Sequence, residues 1–178
     1  MEGTMLRNEI YNFARMGSFI ERADNTARIL DVKYAALGSL EEGSPVQTIQ
    51  LSAMLRSCSA MESYRKTAHS LQTSRVVEFM LLNREFPRTV AFCMNSVQDS
   101  LRRISDNGDN AAGRTAGRIC SDLAYLDLAE VLGEGLHDFL ERIINRMNAL
   151  GDDITRTYFS AQVILPGWRN YLQQVQQQ

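Results

Sequence analysis

A chain of 178 residues, 44% apolar and 22% charged, is long enough for one ordinary domain and apolar enough to bury a core, which excludes a disordered chain. Its 19 basic and 21 acidic residues leave a net charge of −2, which excludes bulk electrostatic attraction to nucleic acid or to an anionic membrane. No run of about 18 apolar residues occurs, so no membrane-spanning helix is expected, and the polar start "MEGTMLRNEIYNF" is unlike a secretory signal.

The first predicted helix runs from Met5 to Leu37 and ends before Gly38. After the loop "GSLEEG", Ser44, Pro45 and Gln47 read as N-cap, first-turn proline and reciprocal capping amide of a second helix reaching His69. Ser74 is placed to cap a short third helix, "RVVEFMLL". Pro87 restricts Phe86 and starts a fourth helix through Ile104. The turn-forming run "SDNGDN" separates it from a fifth helix, Ala111 to Tyr125. Asp127 and Glu130 form the capping box of a sixth helix reaching Phe159. "LPGW" breaks the pattern, and "LQQVQQQ" reads as a frayed tail, so the expected division is one domain over 1–160 and a C-terminal extension over 161–178. No segment alternates with period two. The fold class is therefore all-α: an antiparallel helical bundle of five to six helices joined by short connections.

The first helix raises an electrostatic question. At about 100° per residue, Leu6, Phe13, Gly17, Ile20, Ala27 and Tyr34 share one sector, and Glu9, Asp24 and Asp31 fall in it too. Arg28 and Glu21 lie at its edge, while Arg7, Arg15, Ser18, Arg22, Asn25 and Lys33 point outward, which gives a basic and polar outer face. A carboxylate turned toward a core is costly unless paired. Arg28 stands four residues after Asp24 and three before Asp31, within reach of either. The residues alone leave three readings: a structural ion-pair network, a polar cleft for a ligand or partner, or a carboxylate metal site. Metal is disfavoured, because Glu134 and His137 form only half of a Glu-x-x-His pair and His69 has Lys66 in place of the glutamate. No cofactor is expected.

Elsewhere the chemistry is thin. "SAMESYRK" lines up Ser59, Ser63 and Lys66 beside Tyr64 and Arg65, with no base for a serine nucleophile. "LLNREFPRT" sets Asn83 and Arg88 around a helix start, a corner that can also receive an anion. His137, Glu141, Asn148 and Asp152 follow one side of the sixth helix. Cys58, Cys93 and Cys120 are odd in number and far apart, and read as reduced thiols in a helical core, hence a cytoplasmic protein. "RTAGR" adds positive surface, but without a phosphate loop or interleaved aromatics no nucleic-acid partner is expected.

The segment "MLRNEIYNFARMGSFIERADNTARILDVKY" resembles the signature of the Alpha-E family, a bacterial all-helical group without a settled biochemical role. The resemblance continues through "SAMESYRK", "VVEFMLLNREFPRTVAFC" and "GLHDFLERIINRMNALGDDITRTYF", covering the chain to about Phe159. Members of the family are typically about twice this length, and the chain resembles their C-terminal half. The chain is then a short member, a fragment or the product of an internal start; if the other half normally covers the acids of the first helix, that face is exposed here and self-association as a homo-oligomer would cover it. The resemblance also implies association with ATP-grasp-type ligases and transglutaminase-like proteins, in some cases with a proteasome-related peptidase. The positions that match its pattern are Arg15, Glu21, Arg22, Asp24, Asn25, Arg28 and Asp31 in the first block. Ser59, Tyr64, Arg65, Asn83, Pro87, Arg88, His137 and Asn148 follow, and no catalytic role comes with any of them. Two functions are expected from this: a non-catalytic helical partner of such enzymes, or an enzyme whose cleft gathers Asp24, Arg28, Asp31, Arg65 and Arg88 around an amino-acid or peptide substrate.

Overall fold

The computed structural model describes residues 8–38, 40–68, 70–105 and 110–159; the C-terminal extension, His69 and most of the "SDNGDN" loop lie outside these. Among the described residues the chain is all-helical. The elements are α1 (Glu9–Leu37), α2 (Pro45–Ser57), α3 (Met61–Thr67), α4 (Thr73–Leu82), α5 (Val90–Ile104), α6 (Ala111–Ala124), α7 (Leu128–Glu134) and α8 (Leu136–Tyr158).

Four helices close a ring. α1 packs on α5, α5 on α6, α6 on α8, and α8 back on α1. Side-chain pairs give the directions. Asp31 meets His137 at one end of α1 and Phe13 meets Tyr158 at the other, so α1 and α8 are antiparallel. Thr115 meets Asp153 while Asp122 meets Arg146, so α6 and α8 are antiparallel too. Small residues let these helices approach: Ala23 and Ala27 on α1 and Ala112 and Ala116 on α6 are fully buried among Leu30, Met94, Leu101 and Met147. The short helices α2, α3 and α4 cover one end, with α2 and α4 against α1 and α4 also against α5.

Eight helices replace the five or six expected because two of the predicted ones divide. The second breaks after Ser57 with neither glycine nor proline. There Ala60 N–H donates to the Leu55 carbonyl at 2.7 Å and Ser59 N–H to that of Arg56 at 2.9 Å, a Schellman closure with Ser59 left-handed at φ 52°. The predicted sixth breaks at Gly135, whose φ of 126° no helix accommodates. Three starts also move. Asn8 is extended and caps α1 through Tyr11 N–H, so α1 begins at Glu9; the expected start at Met5 lies outside the described residues. α4 begins at Thr73, leaving Ser74 inside it. α5 begins at Val90, three residues after Pro87, because Thr89 is the cap. Ser44 and Asp127 are the N-caps expected, but the reciprocal halves differ: Gln47 Oε1 accepts from Gly43 N–H at 2.7 Å in place of Ser44, and among the described residues Glu130 returns no bond to Asp127.

The rotation of α1 is the main correction. Its buried side chains are Tyr11, Asn12, Met16, Phe19, Ala23, Thr26, Ala27, Leu30 and Leu37, a stripe turned by roughly a quarter of a revolution from the expected one. Glu9 and Gly17 are exposed, and Asp24 and Asp31 are partly buried on the flank that faces α8. Arg15 and Arg22 do not point outward: both guanidinium groups lie over the Phe19 ring, at 5.3 and 5.0 Å.

Candidate functional site

The two flanks of α1 carry different chemistry. On the α5 side, the helix grips a turn. Asn83 Oδ1 accepts from the N–H groups of Glu85 at 2.9 Å and Phe86 at 2.8 Å, which folds "NREFPRT" back on itself. Thr89 closes the turn, its hydroxyl shared between the carbonyls of Asn83 and Phe86 and accepting from Phe92 N–H as the α5 cap. The carbonyls of Pro87 and Arg88 then face α1. Arg22 donates to the first at 3.1 Å and the Thr26 hydroxyl to the second at 2.8 Å. Phe92 packs on Phe19 at 5.8 Å beneath this joint. The start of α5 is thus capped by its own Thr89, and Arg88 stands exposed beside it.

On the α8 side, the acids find cations. Asp24 takes Arg28 in a two-pronged pair, Nε to Oδ2 at 2.7 Å and Nη2 to Oδ1 at 3.1 Å. The hydrogen bond from Arg28 to Asp24 raises the arginine pKa. Asp31 is taken by His137, whose Nδ1 lies 2.7 Å from Oδ1 across the interface. That hydrogen bond, and then the Asp31 charge, raise the imidazole pKa above its ordinary 6.5. His137 offers one ligand atom alongside Asp138 and Glu141, all three within 4.8 Å of one another and all exposed. Glu134 is not part of this group by helical spacing, because the Gly135 break falls between it and His137.

The third side of α1 is open. Glu21, Asn25 and Arg28 are exposed on one face together with Gly17 and Val32, the latter 69% exposed. Asn148 is exposed on α8. Arg65 is exposed on α3 and pairs with Glu62 at 3.2 Å, while Tyr64 is buried and donates to the Ser70 carbonyl at 2.8 Å. Asp24 and Asp31 therefore stand on the α8 side of α1, Arg28 on the open face beside Asp24, Arg88 on the α5 side and Arg65 on α3; the structure does not gather the five around one opening. Tyr64 and Asn83 do share a cleft, with Arg75 and Glu78.

Nucleophilic chemistry has little to work with. Ser59 and Ser63 hydrogen-bond to no basic side chain among the described residues. The three cysteines are free. Burial raises the pKa of Cys58, pushes that of Cys93 up to about 12 and that of Cys120 to about 11, so each remains a thiol at neutral pH.

Sequence reading passed over Thr26, Thr89 and Phe19. Thr89 carries the ordinary signal of a capping hydroxyl just after a proline turn. Phe19 belongs to a repeated spelling: Phe19-Ile20-Glu21-Arg22 on α1 returns as Phe139-Leu140-Glu141-Arg142 on α8. In both, the arginine lies over the aromatic ring three residues before it, at 5.0 and 5.9 Å.

A ring of antiparallel helices whose longest member carries a Glu-Arg pair defines the class, an all-helical domain. The chain belongs to the Alpha-E family, whose model, described as a predicted alpha-helical domain with a conserved ER motif, matches residues 1–159. No curated protein and no solved structure matches it.

Proposed function

We propose that the chain is a helical interaction subunit that docks on an ATP-grasp-type ligase or a transglutaminase-like protein through the open face of α1, in the modification of amides or peptides. One observation carries the reading: Glu21, Asn25 and Arg28, three positions of the family signature, stand in solvent on one face of a helix whose other sides are occupied by α5, the core and α8. A charged, rigidly held helix face of this kind suits an electrostatically complementary partner surface. The free thiols and the lack, among the described residues, of a helix long and apolar enough to cross a membrane support a cytoplasmic setting.

The test is co-expression with each class of enzyme and affinity purification of the intact chain, beside a Glu21→Lys variant whose exposed position leaves the fold unchanged. Recovery of one enzyme by the native chain and its loss in the variant supports the reading. Recovery of neither enzyme, or equal recovery by both chains, overturns it. Light scattering on the chain alone checks whether a second copy covers the same face; a stable dimer abolished by Glu21→Lys would assign the face to self-association instead.

A further inference from the structure

A cleft of about 450 Å³ lies between α3 and α4, remote from the open face of α1. Its size is within the range of small-molecule sites, about 300–1,000 Å³. Phe79 and Leu82 give it an apolar wall, and Phe79 is held edge-on by Tyr64 at 5.4 Å and stacked on Phe86 at 5.8 Å. The Tyr64 hydroxyl is committed to the Ser70 carbonyl, so Tyr64 contributes shape and not a donor. Asn83 has spent its Oδ1 on two backbone N–H groups, which leaves its amide nitrogen for anything that enters.

The rim is set by Arg75 and Glu78, one helical turn apart on α4. They form no ion pair with each other or with any other described residue. Elsewhere the same spacing does pair: Glu62 with Arg65, Asp99 with Arg102 and Asp153 with Arg156. In those three the acid precedes the arginine, the order that favours contact along a helix; at 75 and 78 the order is reversed. Sequence direction thus holds two opposite charges at one cleft without neutralising them. Both line the cleft together with Tyr64 and Phe79. A simple anion meets Glu78 there, and a simple cation meets Arg75. A molecule carrying both charges satisfies both.

The geometry points to a binding site for a small zwitterion of the α-amino-acid class with an apolar side chain: its carboxylate on Arg75, its ammonium on Glu78, and its side chain against Phe79 and Leu82. This assignment does not depend on α1 or on any protein partner, so the two can fail separately.

The experiment is NMR titration of the intact chain with L-leucine and L-phenylalanine, and with L-leucinamide and N-acetyl-L-leucine, which lack the carboxylate and the ammonium respectively. Saturable shifts of Phe79, Leu82 and Asn83 signals with L-leucine or L-phenylalanine are expected, with each blocked analogue of leucine weaker by about tenfold. Arg75→Gln should weaken the amino acid by about tenfold and leave L-leucinamide unchanged, and Glu78→Gln should do the converse with N-acetyl-L-leucine. Both side chains are exposed, so both variants fold, which circular dichroism checks. The assignment is overturned if neither amino acid gives saturable shifts at millimolar concentration, or if both substitutions leave binding unchanged.

Discussion

The two flanks of α1 hold their neighbours by opposite means. Toward α5, an arginine and a threonine reach backbone carbonyls of the turn that ends at Thr89, acceptors that do not titrate near neutrality. Toward α8, the helix carries charged pairs, one within α1 and one bridging to His137. The difference teaches where stability and where sensitivity reside. The Thr26 bond is neutral and small in net worth, yet losing its donor leaves a half-buried carbonyl without a partner. A half-exposed ion pair has little to lose, because water replaces either partner.

The contrast is broken most severely at Thr89, fully buried and serving both as the α5 cap and as the closure of the turn. Thr89→Val should cost about 2 kcal/mol in urea denaturation, with the loss of one cap and of the donor to two carbonyls. Thr26→Val keeps the shape and removes only the donor to Arg88, so about 1 kcal/mol is expected by the same measurement. The charged contacts of α8 should show their effects as pH dependence, at Asp153 against α6 and at His137 against α1. Asp153 is held below its ordinary 3.8, first by the hydrogen bond from Thr115 and then by Arg156, so its contribution is present above that pH and lost as pH falls through the lowered value. Acid titrations of stability should show this loss in the native chain and a smaller one in Thr115→Val. The smallest effect belongs to His137. Its raised pKa means the link to Asp31 contributes fully below pH 6.5 and fades as pH rises through the folded value. Denaturation midpoints compared across that window should lose the trend in Asp31→Asn.

The helical class and the caps at Ser44 and Asp127 were legible because each rests on a local rule that a few residues satisfy, whereas the breaks after Ser57 and at Gly135 were not. The rotation of α1 was not. Its buried stripe includes Asn12, Ala23, Thr26 and Ala27, small or polar residues that give no apolar contrast, while Phe13, Ile20 and Tyr34, only partly buried, give the stronger apolar signal a quarter turn away. Asp24 and Asp31 were read as inward for that reason; they are on a seam, and the cations that meet them are Arg28 and His137. Arg28 was within sight along the sequence. His137, 106 residues distant from Asp31, became a partner only once α8 was laid antiparallel beside α1. The cleft at Arg75 was equally hidden, since its meaning depends on a pair that fails to form.

The Schellman closure at Ser59 has a consequence for reading natural variation. Only a residue that tolerates a left-handed backbone can stand there, so related chains should show Gly, Asn, Asp or Ser at this position and never Val or Ile. Invariance at 59 would then record a bend in the main chain, whereas invariance at Glu21 or Asn25, where the backbone is ordinary helix in solvent, has no such excuse and must be sought in what those side chains touch from outside.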